Sequence, residues 1–371
     1  MRFFKTCIAI GVVAILVILE LMNNPDEFVK VYRVLSEEAP AVTPIALPPQ
    51  IEQNLIDKAA YLEFVRNHDN RMEAITPFYW HVAKAGGTAV QTRYLTCFTL
   101  ITASEIGFKD HENEDFLRIV HKNGSTNHMN VDVSTLNGIQ RAKELHLVES
   151  HIPQLIFAPL FVETSSYLYD PQNQGIAFAM FRHPVERVVS LFYYLQEATW
   201  EPTYNPSLAN MTLLEYANSP LIEANFVTRS LLNKYTDKLT QEDFAIAKEI
   251  LRRKVIVGIV NDFGDSLAAF EAIMNLEPNW HVFTEHEDVN MGRRAYISSC
   301  IQGLRKGHGS NKHKHLEIHK NSEEYQILER KNAWDITLWD YIVELYQKQK
   351  VMLQPMIDEK KRSMGEIYNI T

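Results

Sequence analysis

An apolar run, Phe78 to Val82, gives way to a lysine, two glycines and a threonine and then to helix-like sequence (HVAKAGGTAV, His81 to Val90). A strand, a glycine turn and a helix start in this order restrict the fold more than any other feature of the 371-residue chain. The first turn of a helix has backbone N–H groups with no carbonyl partner, and a glycine turn lets an anion approach them. Lys84, Ala85, Gly86, Gly87 and Thr88 are therefore the candidate phosphate-binding residues, with Lys84 adding a point charge and Thr88 a hydroxyl.

A second segment about a hundred residues on repeats the pattern with different chemistry. Gly175 to Phe181 (GIAFAMF) reads as a short buried strand with Arg182 at its end. Pro184 then suits the first turn of a helix, and Val185, Val188, Val189 and Phe192 fall on one helical face. Arg182 and Ser190, eight residues apart, can converge on a second anion. Two such turns imply a ligand with two separated phosphates. The GxxxxGK[ST] order of nucleotide hydrolases is absent, because here the lysine precedes the glycines.

Taken together, the two segments resemble the signature of sulfotransferases that use 3′-phosphoadenosine 5′-phosphosulfate (PAPS). FRHPVERVVSLFYYL (Phe181 to Leu195) is especially similar to the membrane-bound Golgi carbohydrate enzymes of the heparan and dermatan 2-O-sulfotransferase type. Weaker echoes are NFVTRSLL (Asn225 to Leu232), VIVGIVNDFGDSL (Val255 to Leu267) and AWDITLWDYIVELY (Ala333 to Tyr346). The resemblance implies a P-loop-like sulfotransferase fold, PAPS as co-substrate and no metal. It implies that Lys84 and its loop hold the 5′-phosphosulfate while Arg182 and Ser190 hold the 3′-phosphate. It also implies a general base in the segment before the Arg–Ser strand. His151, in HLVESHIPQ, best matches that pattern, with His146 and Glu149 as alternatives. Arg305, Lys306 and Gly307, in the basic tract Cys300 to Lys320, match a loop that closes over the 3′-phosphate. His183 stands where the family usually has aspartate.

The N-terminus fits the same placement. Thr6 to Met22 carries one charge, Glu20, and follows Arg2 and Lys5. About 17–25 apolar residues span a bilayer, so residues 6–22 read as a signal anchor with a cytoplasmic tail (1–5) and a lumenal body. A cleaved signal peptide is the other reading. Glu37 to Gln50 holds four prolines, so 23–75 is expected to be a stem, 76–350 the catalytic domain and 351–371 a C-terminal tail. Sequons stand at Asn123, Asn210 and Asn369, and Cys97 and Cys300 are either one disulfide or two buried thiols. A net charge of −9 argues against nucleic acid as a partner.

The coarse pattern is α/β, a mainly parallel sheet with helices on both faces and the ligand at the carboxyl ends of the strands. Glu144 to Val148 reads as a strand, with His151 just beyond its end, and 99–133 reads as polar and irregular. Thr240 to Lys254 is a capped amphipathic helix, Val255 to Ile259 a buried strand, and Ser322 to Gln347 a helix interrupted near Asn332. The expected protein is a Golgi type II carbohydrate O-sulfotransferase whose acceptor is a glycan, anionic glycans included. A nucleotide-dependent kinase lacks its motif here. A non-catalytic glycan-binding protein would have no need for Lys84, Arg182 and Ser190.

Overall fold

A computed structural model describes residues 45–67, 75–122, 126–201, 204–276, 300 and 318–364. The anchor (6–22), most of the stem, Asn123, Arg305, Lys306, Gly307 and Asn369 lie outside the described residues. Leu47 onward forms one compact unit. Its strands are β1 (Pro77–Trp80), β2 (Ile101–Ala103), β3 (Ile119–Lys122), β4 (Thr126–Met129), β5 (Leu155–Ala158), β6 (Ile176–Phe181) and β7 (Val255–Ile259). Its main helices are α1 (Pro49–Asn54), α2 (Lys58–Asn67), α3 (Gly87–Thr96), α4 (Leu136–Glu144), α5 (Pro184–Leu195), α6 (Leu213–Asn218), α7 (Phe226–Leu232), α8 (Gln241–Lys254), α9 (Phe263–Ile273), α10 (Glu323–Lys331) and α11 (Ala333–Met364).

The seven strands form one sheet in the order β3-β4-β2-β5-β1-β6-β7, parallel throughout except for the β3–β4 edge pair. Strand residues alternate between two cores, as a sheet covered on both faces requires. Phe78 and Trp80 of β1 face one layer with Ala177, Ala179 and Phe181 of β6, and Tyr79 faces the other with Ile176, Phe178 and Met180. The first layer is covered by α1, α4, α7 and α8 through Ile51, Ile139, Leu231 and Ile250. The second is covered by α2, α3 and α9 through Leu62, Tyr94 and Leu267.

The 32-residue α11 serves both layers. Leu338, Ile342 and Tyr346 pack in the first core, and Leu353 and Ile357 in the second. Where the helix passes the sheet edge, the buried Gln349 amide donates to the Val257 carbonyl at 2.9 Å and accepts from the Val257 N–H at 3.1 Å. A side-chain amide thus completes the open edge of β7, which would otherwise expose unpaired backbone groups.

The segments NFVTRSLL and AWDITLWDYIVELY meet as reciprocal helix caps. The Asn225 side chain accepts from the N–H groups of Trp334 and Asp335, at 3.0 and 3.2 Å. Asp335 in turn accepts from the N–H groups of Val227 and Thr228, both at 2.9 Å. Burial raises the Asp335 carboxyl, and these hydrogen bonds oppose that shift.

Four expectations are corrected. Residues 144–148 are not a strand. The helix α4 ends there in a Schellman turn, in which His146 takes φ 57°, its N–H donates to the Lys143 carbonyl and the Leu147 N–H to the Ala142 carbonyl. Leu147 and Val148 are apolar because that turn packs into the core. The strand of this region is β5, so His151 precedes it. Residues 99–133 are not irregular, for they supply β2, β3 and β4. The unit begins near residue 47 rather than 76, because Pro48 and Pro49 start a helix whose Ile51 is fully buried. Helix α11 continues through Pro355 to Met364, well into the expected tail. Cys97 and Cys300 form a disulfide.

Replacing Gln349 by Leu leaves the Val257 N–H and carbonyl buried without partners. Each such group costs about 1–3 kcal/mol, so the denaturation midpoint should fall accordingly. An unchanged midpoint would show that the edge is satisfied in another way.

Candidate active site at the carboxyl ends of the parallel strands

The loop between β1 and α3 is bent by two left-handed residues, Lys84 at φ 66° and Gly86 at φ 82°. Glycine adopts this conformation without strain, whereas at lysine it costs of the order of 1–3 kcal/mol. A Cβ on Gly86 would lie 2.8 Å from Cε2 of Phe263, and one on Gly87 would collide with the His81 ring. Both glycines are therefore dictated by close packing at the start of α3. No intrahelical carbonyl is available to the N–H groups of Gly87 and Thr88 in that first turn. Ala85 is buried beneath the loop, and Thr88 is exposed on it.

Lys84 is partly buried, with Nζ 4.0 Å from the centroid of the Tyr194 ring. Desolvation and then the Arg182 cation lower its pKa to about 8, while Glu201 acts in the opposite sense. Cation is thus held beside cation, an arrangement that favours an anion between them. Arg182 directly follows β6, and β6 is the parallel neighbour of β1. Its Nε lies 3.2 Å from Oε2 of Glu186 one turn along α5. Ser190 is buried on the same helix. His183, where the resemblance leads one to expect aspartate, packs between Tyr325 and Trp339, with centroids 6.3 and 6.0 Å away.

The same edge carries carboxylates. Glu105 follows β2, two strands from β1, and is exposed at its tip. Desolvation by the surrounding protein raises its carboxyl, and the like charges of Asp132 and Glu201 add to the shift. Glu201 accepts a hydrogen bond from the Tyr194 hydroxyl. His81 follows β1, packs tilted against Phe157 with centroids 4.9 Å apart, and is lowered to about 4 by desolvation and by Lys84.

The fold therefore brings together Lys84, Ala85, Gly86, Gly87, Thr88 and Arg182 along one edge, with Ser190 buried two turns into the helix that follows Arg182. It does not bring His151 there. In the parallel register Trp80 pairs with Ala158, so the lysine loop lies beyond the carboxyl ends of these strands. His151, four residues before Leu155, lies beyond the amino end of β5, exposed and at φ 51°. His146 shares that far edge, where Glu149 is ion-paired with Lys143. Glu105 was hidden because it follows a three-residue strand, ITA, inside polar sequence. A carboxylate directly after a short β-prone run was the only signal available.

Asn210 is exposed at the end of a 3-10 turn, Pro206–Asn210. Among the described residues no three His, Cys, Asp or Glu side chains gather as a metal site would require, and no helix is long and apolar enough to cross a membrane. A scan against protein-family models and a search of curated proteins returned no match to this chain.

Proposed function

We propose that the protein transfers a sulfuryl group from PAPS to a hydroxyl of a carbohydrate acceptor. One observation carries this: a lysine–glycine loop and an arginine stand at the carboxyl ends of adjacent parallel strands, with the two cations close enough to lower Lys84. Two anion sites on neighbouring turns suit a donor with separated phosphates. The loop N–H groups, Lys84 and Thr88 would hold the 5′-phosphosulfate, and Arg182 and Ser190 the 3′-phosphate. A Golgi membrane location with a lumenal domain belongs to the same proposal and is supported by the Thr6 to Met22 sequence.

In-line transfer forms a bond from sulfur to the acceptor oxygen and breaks the bond from sulfur to the phosphate oxygen, whose electron pair stays with the phosphate. Lys84 and the loop N–H groups face the charge that grows on that leaving oxygen. The acceptor proton needs a base on this edge. His151 lies at the opposite end of β5, so Glu105 takes this role. A carboxyl raised by desolvation and by the like charges of Asp132 and Glu201 is a better base than an ordinary one.

Four measurements test these assignments. Arg182→Ala should weaken PAP binding by about 1.5–3 kcal/mol, the worth of a charge-assisted contact. Lys84→Ala should lower turnover by about 10²–10³-fold. Glu105→Gln should lower turnover by about 10²–10⁴-fold with PAP affinity unchanged, while His151→Ala stays near wild type. The reverse pattern would return the base to His151. Lys84 is lowered to about 8, so it is an ammonium below that pH and loses its proton above it. PAP affinity should therefore fall as pH rises through 8, approaching about tenfold per unit. Lys84→Arg should abolish this dependence in calorimetric titrations between pH 7 and 9.5.

A further inference from the structure

Immediately after α5 the chain turns sharply on Ala198, which is fully buried. The Glu201 N–H donates to the Ala198 carbonyl at 3.0 Å, and the Tyr204 N–H donates to the Glu201 carbonyl at 3.0 Å. This anchored turn presents Trp200, which is 71% exposed, the largest exposed aromatic among the described residues. A tryptophan left so open in a structured turn forgoes burial worth several times that of a methylene group, so contact with a ligand would recover it.

Its position says which ligand. The indole meets the Tyr194 ring in a T-shaped contact, with centroids 6.3 Å apart. The other side of that contact is Lys84, with Nζ 4.0 Å from the same Tyr194 ring. The two distances in series bound the separation of Trp200 from the transfer lysine, and one or two sugar rings span it. A pyranose offers a face of C–H groups for the indole and a rim of hydroxyls for Glu201, the next residue.

We propose that Trp200 and Glu201 form the acceptor subsite and that it takes an uncharged sugar stacked on the indole. This rests on the reading of Lys84 and Arg182 as the donor site. The charge lining favours an uncharged acceptor over a polyanion. The cations, Lys84 and Arg182, lie on the donor side, while Glu105 feels the like charges of both Glu201 and Asp132 on the acceptor side. A polyanionic chain would meet like charge there, at a cost in affinity and encounter rate. The subsite thus departs from the anionic glycans that the sequence resemblance brings in.

The test uses the full-length chain with labelled PAPS. Acceptors are a panel of methyl glycosides and uncharged oligosaccharides, with chondroitin as the polyanionic comparison. Trp200→Ala should raise KM for the uncharged acceptors about tenfold or more, leave kcat within about threefold and leave PAP affinity unchanged. Trp200→Phe should keep KM within about threefold of wild type, because stacking is retained. An unchanged acceptor KM in Trp200→Ala would overturn the subsite, as would turnover of chondroitin above every uncharged sugar or no turnover with any of them. Failure of the wild-type chain to bind PAP would instead remove the donor site, and the subsite with it.

Discussion

The parallel ladder between β1 and β6 holds Pro77 opposite Ile176 and Trp80 opposite Ala179, and the candidate site depends on that register. Neighbouring strands lie about 4.8 Å apart, so the turns that follow them emerge side by side. The lysine loop and Arg182 are brought together by backbone hydrogen bonds some residues away. A slip of one residue would turn Tyr79 and Phe178 into the wrong core and carry the loop away from the arginine. The aromatic packing on both faces resists that slip: Tyr79 lies between Phe157 and Phe178, and Trp80 between Phe161 and Phe181.

Helix α3 must be equally fixed, because its first turn supplies the N–H groups. Arg93, on its inner face, makes a bidentate pair with Glu271 of α9, and both are essentially inaccessible. Removing one partner of such a pair leaves an uncompensated buried charge and costs about 3–5 kcal/mol. Two turns of helix thus lie between a strongly pinned residue and the anion loop, and Cys97 is tied to Cys300 just beyond. The mobile part of the chemistry is left to side chains. Arg182 leans on Glu186 and Lys84 on the Tyr194 ring, both contacts that an anion of higher charge can displace.

The elements visible in the sequence are those whose local pattern and burial agree. GIAFAMF and VIVGI are continuous apolar runs because both faces of each parallel strand are covered, even for β7 at the sheet edge. Thr240 with Asp243 makes the capping box that opens α8. The failures have an equally physical origin. Glu144 to Val148 looked like a strand because a Schellman turn also buries an apolar residue after a helix, and periodicity cannot tell the two apart over five residues. TNHM and IVHK looked irregular because this end of the sheet is only partly buried and its strands carry polar residues. Pro48 and Pro49 looked like a stalk, yet proline is as much at home in the first turn of a helix. Gln349 and Asn225 could not be read at all, since each satisfies backbone groups roughly a hundred residues distant.

That last limitation bears directly on the site. The motifs in the sequence locate the proposed anion-binding half, because a glycine turn and a strand-end arginine are local devices. The proposed acceptor half draws on residues after β2 and after α5, and no local pattern joins Glu105 to Glu201. His151 looked suitable because its neighbours resembled a strand end. Moving the strand from 144–148 to 155–158 reverses the direction in which the segment meets the sheet and sends the histidine to the far edge. The carboxyl edge then carries carboxylates as well as cations, and on the proposed reading a proton taken by Glu105 would leave from the side away from the phosphates. Separating the charge taken up by the base from the charge released on the leaving group keeps the two from opposing each other. A parallel sheet supplies that separation by strand order alone: β5 and β1 stand between β2, which precedes Glu105, and β6, which precedes Arg182.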